Sequence, residues 1–286
     1  MGRFARSREL AAASWGVLRK DKELMVLPLI SGFASLVIGV SFLVPIFVTG
    51  SVTGLDGGTS VQLGPFQYVL LFAMYVALAY VAVFFKVALL CGADERLRGG
   101  NPTVGSAISD ATRHAGRILP WAVVSATVSV ILRAISERSG LLGRLVVGLV
   151  GMAWGVVTFL VLPILVFEKV GVGQAIKRST AMLRHTWGEN LIVNAGIGLL
   201  AMLLILPAGV LVALGAATGT TLGLVTTMVI GGLWLIGVTC WANAMSSVFQ
   251  LALYRYATDG VAPAAFAGAD LPNAFTAQPR RGGFLR

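Results

Sequence analysis

Charge is what this sequence has least of. Only 12% of its 286 residues are Asp, Glu, Lys or Arg, while 57% are hydrophobic. A soluble domain carries about 25% charged residues, so this chain must meet an apolar solvent. Cysteine and histidine are scarcer still, with two of each. Cys91 and Cys240 sit in or beside apolar runs, which excludes a disulfide framework. His114 and His185 each follow an arginine, and two ligands do not close a zinc site. No metal and no cofactor is expected. Absent too are a nucleophile–base pair, a phosphate loop and paired carboxylates. Gly171 and Gly173 have no strand before them and lack the rest of a nucleotide fingerprint. The expectation is therefore of a protein that is not an enzyme. The first 23 residues are polar and basic, without the short apolar core of a signal peptide. Arg6 takes the place a myristoylation signal gives to Ser or Thr.

What is there is a series of long apolar runs. A helix needs about 20 residues to cross the hydrocarbon. The runs place six spans, near 24–49, 66–90, 119–135, 144–167, 190–214 and 222–251. The fold class is all-α, a polytopic helical membrane bundle. The 35 glycines suit it, because small residues let membrane helices approach closely. Lys86 is read as lying in the last turn of the second span and snorkelling to the interface. The Gly-rich loop at 50–65 offers a hairpin turn at Asp56-Gly57.

Between the spans lie amphipathic segments. In 172–187, Val172, Ala175, Ile176, Ser179, Met182, Leu183 and Trp187 share one face, and Lys177, Arg178, Arg184 and His185 the other. In 103–118, Val104, Ile108, Ala111, Ala115 and Ile118 oppose Asp110, Arg113 and Arg117. A third such segment covers 3–20. Each precedes two spans, so the chain reads as three repeats of an amphipathic helix plus two spans. The pentapeptide V-G-S-A-I at 104–108 matches V-G-Q-A-I at 172–176. The domains are then a cytoplasmic amphipathic helix at 1–23, a six-span membrane domain at 24–256, and a disordered cytoplasmic tail at 257–286.

Net charge is +10, but the basic residues flank apolar runs rather than forming a nucleic-acid face. Nineteen of the 22 Lys and Arg fall on one side of the six-span arrangement, and positive flanks stay cytoplasmic. Both termini and all the amphipathic helices are expected in the cytoplasm, in a bacterial plasma membrane. Arg133, Arg138 and Arg144 are the exceptions, and a re-entrant pair over 119–167 is the alternative there. Arg113, Arg117, Lys177, Arg178 and Arg184 are candidates for anionic lipid headgroups.

The pattern of Pro163, Glu168, Ala175, Ser179 and Trp187 resembles a broad group of bacterial six-span proteins. That group includes the membrane domain attached to some glycerophosphodiester phosphodiesterases. The opening, with Ser14-Trp15, Leu18 and L-P-L-I-S-G at 27–32, resembles an uncharacterised family of high-GC Gram-positive bacteria. The resemblance covers most of 1–256. It implies a plasma-membrane protein and no catalytic residue, because the soluble phosphodiesterase domain is absent from this sequence.

Four polar residues at membrane depth complete the candidates. Glu168 ends a span beside Lys169, where an ion pair is expected ahead of a proton carrier. Asn194, Asn243 and Gln250 fall in the last two spans, where interhelical hydrogen bonds are expected ahead of a substrate path. The functional expectation is a non-enzymatic protein that organises lipids, or a membrane-protein partner, at the inner leaflet. The alternative is a transporter or permease subunit for a lipid-like or small apolar substrate. A tightly packed bundle favours the first. A cavity reaching mid-membrane and lined by Asn194, Asn243 or Gln250 favours the second.

Overall fold

The computed structural model describes residues 14–16, 22–49, 51–53, 60–62, 64–184 and 187–260. Most of the 3–20 segment, His185 and the tail beyond 260 lie outside the described residues, as do the side chains of Arg184 and Asn194. Nine helices follow in order among those residues: α1 Val26–Thr49, α2 Pro65–Leu97, α3 Val104–Arg113, α4 Ala115–Arg138, α5 Leu141–Val157, α6 Val161–Phe167, α7 Val172–Arg184, α8 Trp187–Ala217 and α9 Thr221–Asp259. A 3₁₀ turn, Lys22–Met25, leads into α1. Two short strands, β1 Ser51–Thr53 and β2 Ser60–Gln62, pair antiparallel between α1 and α2. Their register opposes Val52 to Val61, and the expected turn at Asp56-Gly57 lies outside the described residues.

Among the described residues, five stretches are long and apolar enough to cross a membrane: Glu23–Val48, Pro65–Leu97, Ala115–Arg138, Leu141–Phe167 and Thr221–Asp259. In α8 the apolar stretch among the described side chains is Met202–Ala217. The fold is therefore a helical bundle of membrane-spanning character. Several spans outrun the lengths read from the sequence. The second continues beyond residue 90 to Leu97, and the last to Asp259. The third is the whole of Ala115–Arg138 rather than 119–135. At 24 residues it measures about 36 Å, enough for a hydrocarbon layer of about 30 Å.

Local chemistry sets the helix ends. Pro65 opens α2 where its missing N–H costs nothing. At its other end Gly99 takes φ 88°, and the Gly99 and Gly100 N–H groups donate to the carbonyls of Arg96 and Glu95, both at 2.9 Å. That is a Schellman stop, which needs a left-handed residue. Thr103 Oγ1 accepts from the Ser106 N–H and Ser106 Oγ accepts from the Thr103 N–H, both at 3.0 Å, so a reciprocal box starts α3. The 103–118 segment is not one helix. It bends at His114 (φ −103°, ψ 0°), and the remainder becomes the first turn of α4.

Both short helices begin on the valine of the matching pentapeptide, Val104 and Val172. Matching positions face inward: Ala107 and Ala111 on α3, Ala175 and Ser179 on α7, all at most 1% exposed. Their apolar faces lie against the bundle. Small side chains make that approach possible. Gly92 on α2 shows how close it is, since a Cβ there would stand 2.6 Å from Leu24 Cδ2 and 3.4 Å from Ala107 Cβ. The buried core gathers at this end of the bundle, from Val87 to Asp94, Leu160 to Val166 and Ala244 to Tyr254.

Candidate functional site: a cavity beside a broken span

The fourth span breaks in its middle. Pro163 has no N–H to give the Phe159 carbonyl, and its ring crowds that oxygen, so a continuous helix fails one turn upstream. The chain leaves α5 at Val157, turns through Thr158, Phe159 and Leu160, and restarts as α6 with Pro163 in the first turn, where no N–H is required. Backbone groups freed at membrane depth need partners. Ser179 of α7 supplies two of them. Its hydroxyl donates to the Val157 carbonyl at 2.6 Å and accepts from the Leu160 N–H at 3.3 Å. Ser179 is fully buried, so the amphipathic helix acts as a splint for the break.

Beside this break lies a cavity of about 520 Å³, within the range of about 300–1,000 Å³ usual for small-molecule sites. Its walls come from five spans. Pro28, Ser31 and Gly32 of α1 face it, with Lys86 and Leu89 of α2 and Trp121 of α4. Gly155, Thr158, Phe159 and Leu162 come from the broken span, and Thr239, Asn243, Ser247 and Gln250 from α9. Of its lining residues, Gly32, Ala82, Gly155, Thr239 and Asn243 are exposed. Lys86 is eight positions before Asp94, about 12 Å along the helix axis.

The polar groups of the cavity divide into satisfied and unsatisfied. Ser247 Oγ donates to the Asn243 carbonyl at 2.9 Å, and Thr158 Oγ1 to the Trp154 carbonyl at 2.7 Å. Asn243 Nδ2 donates to the Thr239 carbonyl at 2.9 Å. Gln250 is 1% exposed, and its Oε1 has no hydrogen-bond partner. No carboxylate among the described residues pairs with Lys86. Lys86 does not occupy the last turn of its helix, since α2 runs eleven residues further. The apolar composition stops at Leu90 while the helix continues to Leu97.

At the end of the bundle nearest the short helices, the charges form a closed network. Asp94 Oδ1 accepts from Arg255 Nε at 2.9 Å and Nη2 at 2.5 Å, and its Oδ2 faces Arg98 Nη2 at 3.0 Å. The Arg255 guanidinium stacks 5.3 Å from the Phe167 ring centre, and Phe167 stacks on Tyr254. Glu168 faces Arg178 Nε at 2.7 Å and accepts from the Tyr254 hydroxyl at 3.4 Å. Glu168 is thus placed in an ion pair, though with Arg178 rather than its neighbour Lys169. The headgroup candidates divide similarly. Arg113 pairs with Asp110 at 3.1 Å and Arg178 with Glu168, while Arg117 and Lys177 are exposed. His114 Nδ1 is buried without a partner. Burial pushes the imidazole pKa below its ordinary value, and the positive charge of Arg117 adds to that, against the pull of Asp110. No group of three metal-ligating side chains occurs among the described residues.

Sequence reasoning did not find Lys86 or the break as parts of a site. Both left a signal: a lone cation inside an apolar run, and a proline inside the last third of a span. Asn243 and Gln250, singled out by their polarity in an apolar span, both line the cavity from α9. No curated protein matches the chain. Residues 66–264 match the model of a family of unknown function, DUF6159, and the chain belongs to that family.

Proposed function

We propose that this protein handles lipids without transforming them: an amphiphile enters the cavity from the bilayer and is passed or presented by the bundle. The observation that carries this reading is the cavity itself, set against a broken span and lined by Asn243 and Gln250. Discontinuous helices at membrane depth are where transporters build their binding sites, and a polar wall in hydrocarbon defaults to function. The cavity opens beside exposed glycines rather than charged residues, which suits an acyl chain entering from the side. This favours the transport reading over a purely organising one.

The organising role is the second reading. It is favoured by Arg117 and Lys177, exposed cations on the bundle end that carries the short helices. In this reading that end is cytoplasmic and meets anionic lipid, with about 1 kcal/mol for each suitably placed charge. Reporters fused at 57, 140, 218 and 286 are expected to read outside, outside, outside and inside.

The deciding experiment is movement of a tail-labelled phospholipid in proteoliposomes. The wild type is expected to accelerate it. Asn243→Leu and Gly155→Trp are expected to slow it, the latter because a side chain at Gly155 extends into open space at the cavity mouth. Equal rates with and without protein would leave the organising role as the better account.

A further inference from the structure

The cavity's two unsatisfied polar groups say what kind of head it holds. Lys86 brings a cationic ammonium to a wall that is otherwise neutral. The nearby acids are committed elsewhere: Asp94 to Arg255 and Arg98, Glu95 to the Ser106 hydroxyl, Glu168 to Arg178. A lone ammonium in an otherwise neutral wall, with no acid paired to it, calls for an anion. Gln250 adds an independent demand. Its side chain is buried, it lines the same cavity, and its Oε1 waits for a donor. A buried acceptor left unpaired is costly, so a ligand that supplies an O–H there gains what the empty protein lacks.

We infer that the cavity recognises an acidic amphiphile, with a phosphate or carboxylate group held by Lys86 and a head-group hydroxyl donating to Gln250. The inference rests on the proposed lipid-handling role and narrows it to one class of lipid. A phospholipid with a glycerol head has both features, an anionic phosphate and free hydroxyls. A choline head has neither a net negative charge nor a hydroxyl. The acyl chain lies toward Gly32 and Gly155, where a Cβ would meet no neighbour within 4 Å.

The test is binding to the full-length purified protein, read by native mass spectrometry with three probes: phosphatidylglycerol, phosphatidylcholine and inorganic phosphate. Wild type is expected to prefer phosphatidylglycerol to phosphatidylcholine by about tenfold or more, the scale of one charge-assisted hydrogen bond. Lys86→Gln is expected to erase that preference, weakening phosphatidylglycerol more than phosphatidylcholine, whose phosphate is balanced by its own quaternary ammonium, and Lys86→Arg is expected to retain it. Gln250→Leu is expected to weaken phosphatidylglycerol binding while leaving the thermal midpoint unchanged or higher, a result a merely structural residue would not give. Gly32→Trp is expected to weaken binding of both lipids by filling the cavity. An unchanged preference in Lys86→Gln, with Gly32→Trp still blocking both lipids, overturns the anionic assignment and leaves the lipid-handling role standing. Unchanged binding in Gly32→Trp overturns the lipid-handling role itself. Inorganic phosphate displacing phosphatidylglycerol at equal concentration overturns the amphiphile, since the site would then read a free anion alone.

Discussion

The two halves of the bundle are built differently. The half that carries α3 and α7 holds the buried core, including Leu24, Leu90, Ile164, Met245 and Phe249, and the Asp94–Arg255 and Glu168–Arg178 pairs. In the opposite half large apolar side chains turn outward: Val48 is 78% exposed, Leu141 85% and Leu222 79%. Its polar contacts lie at the surface, such as Arg133 bonded to Glu137 at 2.9 Å and to the Tyr75 hydroxyl at 3.1 Å. The lesson concerns solvent. Exposed apolar side chains cost nothing against lipid tails, so the far half needs little packing of its own. The near half carries the buried ion pairs and packs like a soluble core. The cavity lies where these two regimes meet.

The largest effect on this contrast is expected from Asp94→Ala. It strips Arg255, whose side chain is only 21% exposed, of its carboxylate. Breaking a buried pair from one side costs about 3–5 kcal/mol, and thermal unfolding in nanodiscs measures it. The matching change in the far half, Glu137→Ala, removes a pair whose partners are 68% and 64% exposed. It is expected to cost less than about 1 kcal/mol. Equal losses would erase the distinction between the halves.

Ser179→Ala comes next. It leaves the Val157 carbonyl and the Leu160 N–H unpaired at the break, for a loss of about 1–3 kcal/mol. Faster hydrogen exchange confined to the break is the accompanying signature. Gly92→Ala is expected to lose a similar or smaller amount, about 1–3 kcal/mol, by overpacking. Its new Cβ must displace the Leu24 side chain. Gly155→Ala, which meets nothing within 4 Å, is expected to leave the thermal midpoint within about a degree of wild type, as a substitution that strains no neighbour should.

The smallest effect is a pH dependence of the near half. Burial lowers the pKa of His114 in the folded protein, so the unfolded chain binds the proton more readily. Stability is then full above the ordinary histidine value, about 6.5, and declines as pH falls below it. His114→Gln is expected to flatten thermal midpoints between pH 7.5 and 5.5. An unchanged slope in the variant would assign the dependence to another group.

Much of this was legible in the sequence because the bilayer writes strongly into composition. Long apolar runs place helices without reference to tertiary contacts. The two V-G-x-A-I pentapeptides mark where α3 and α7 start. Boundaries were less legible. Helix α2 continues through the charged residues Asp94 to Arg96, because charge marks the edge of the hydrocarbon and not the end of a helix. The site was half legible. Asn243 and Gln250 stand out by polarity alone. Lys86 reads only as a lone cation in an apolar run, and Ser179 as one more residue of an amphipathic face. Its bond to the break joins residues about 20 positions apart, which no local pattern records.

The central claim is that the cavity between α1, α2, the broken span and α9 holds a lipid. Single-particle imaging of the protein in nanodiscs containing phosphatidylglycerol tests it most directly. The account predicts elongated density entering between Gly32 and Gly155, with its head within hydrogen-bond distance of Lys86 and Gln250. A cavity filled by the protein's own side chains, with lipid density only around the outside of the bundle, would contradict it.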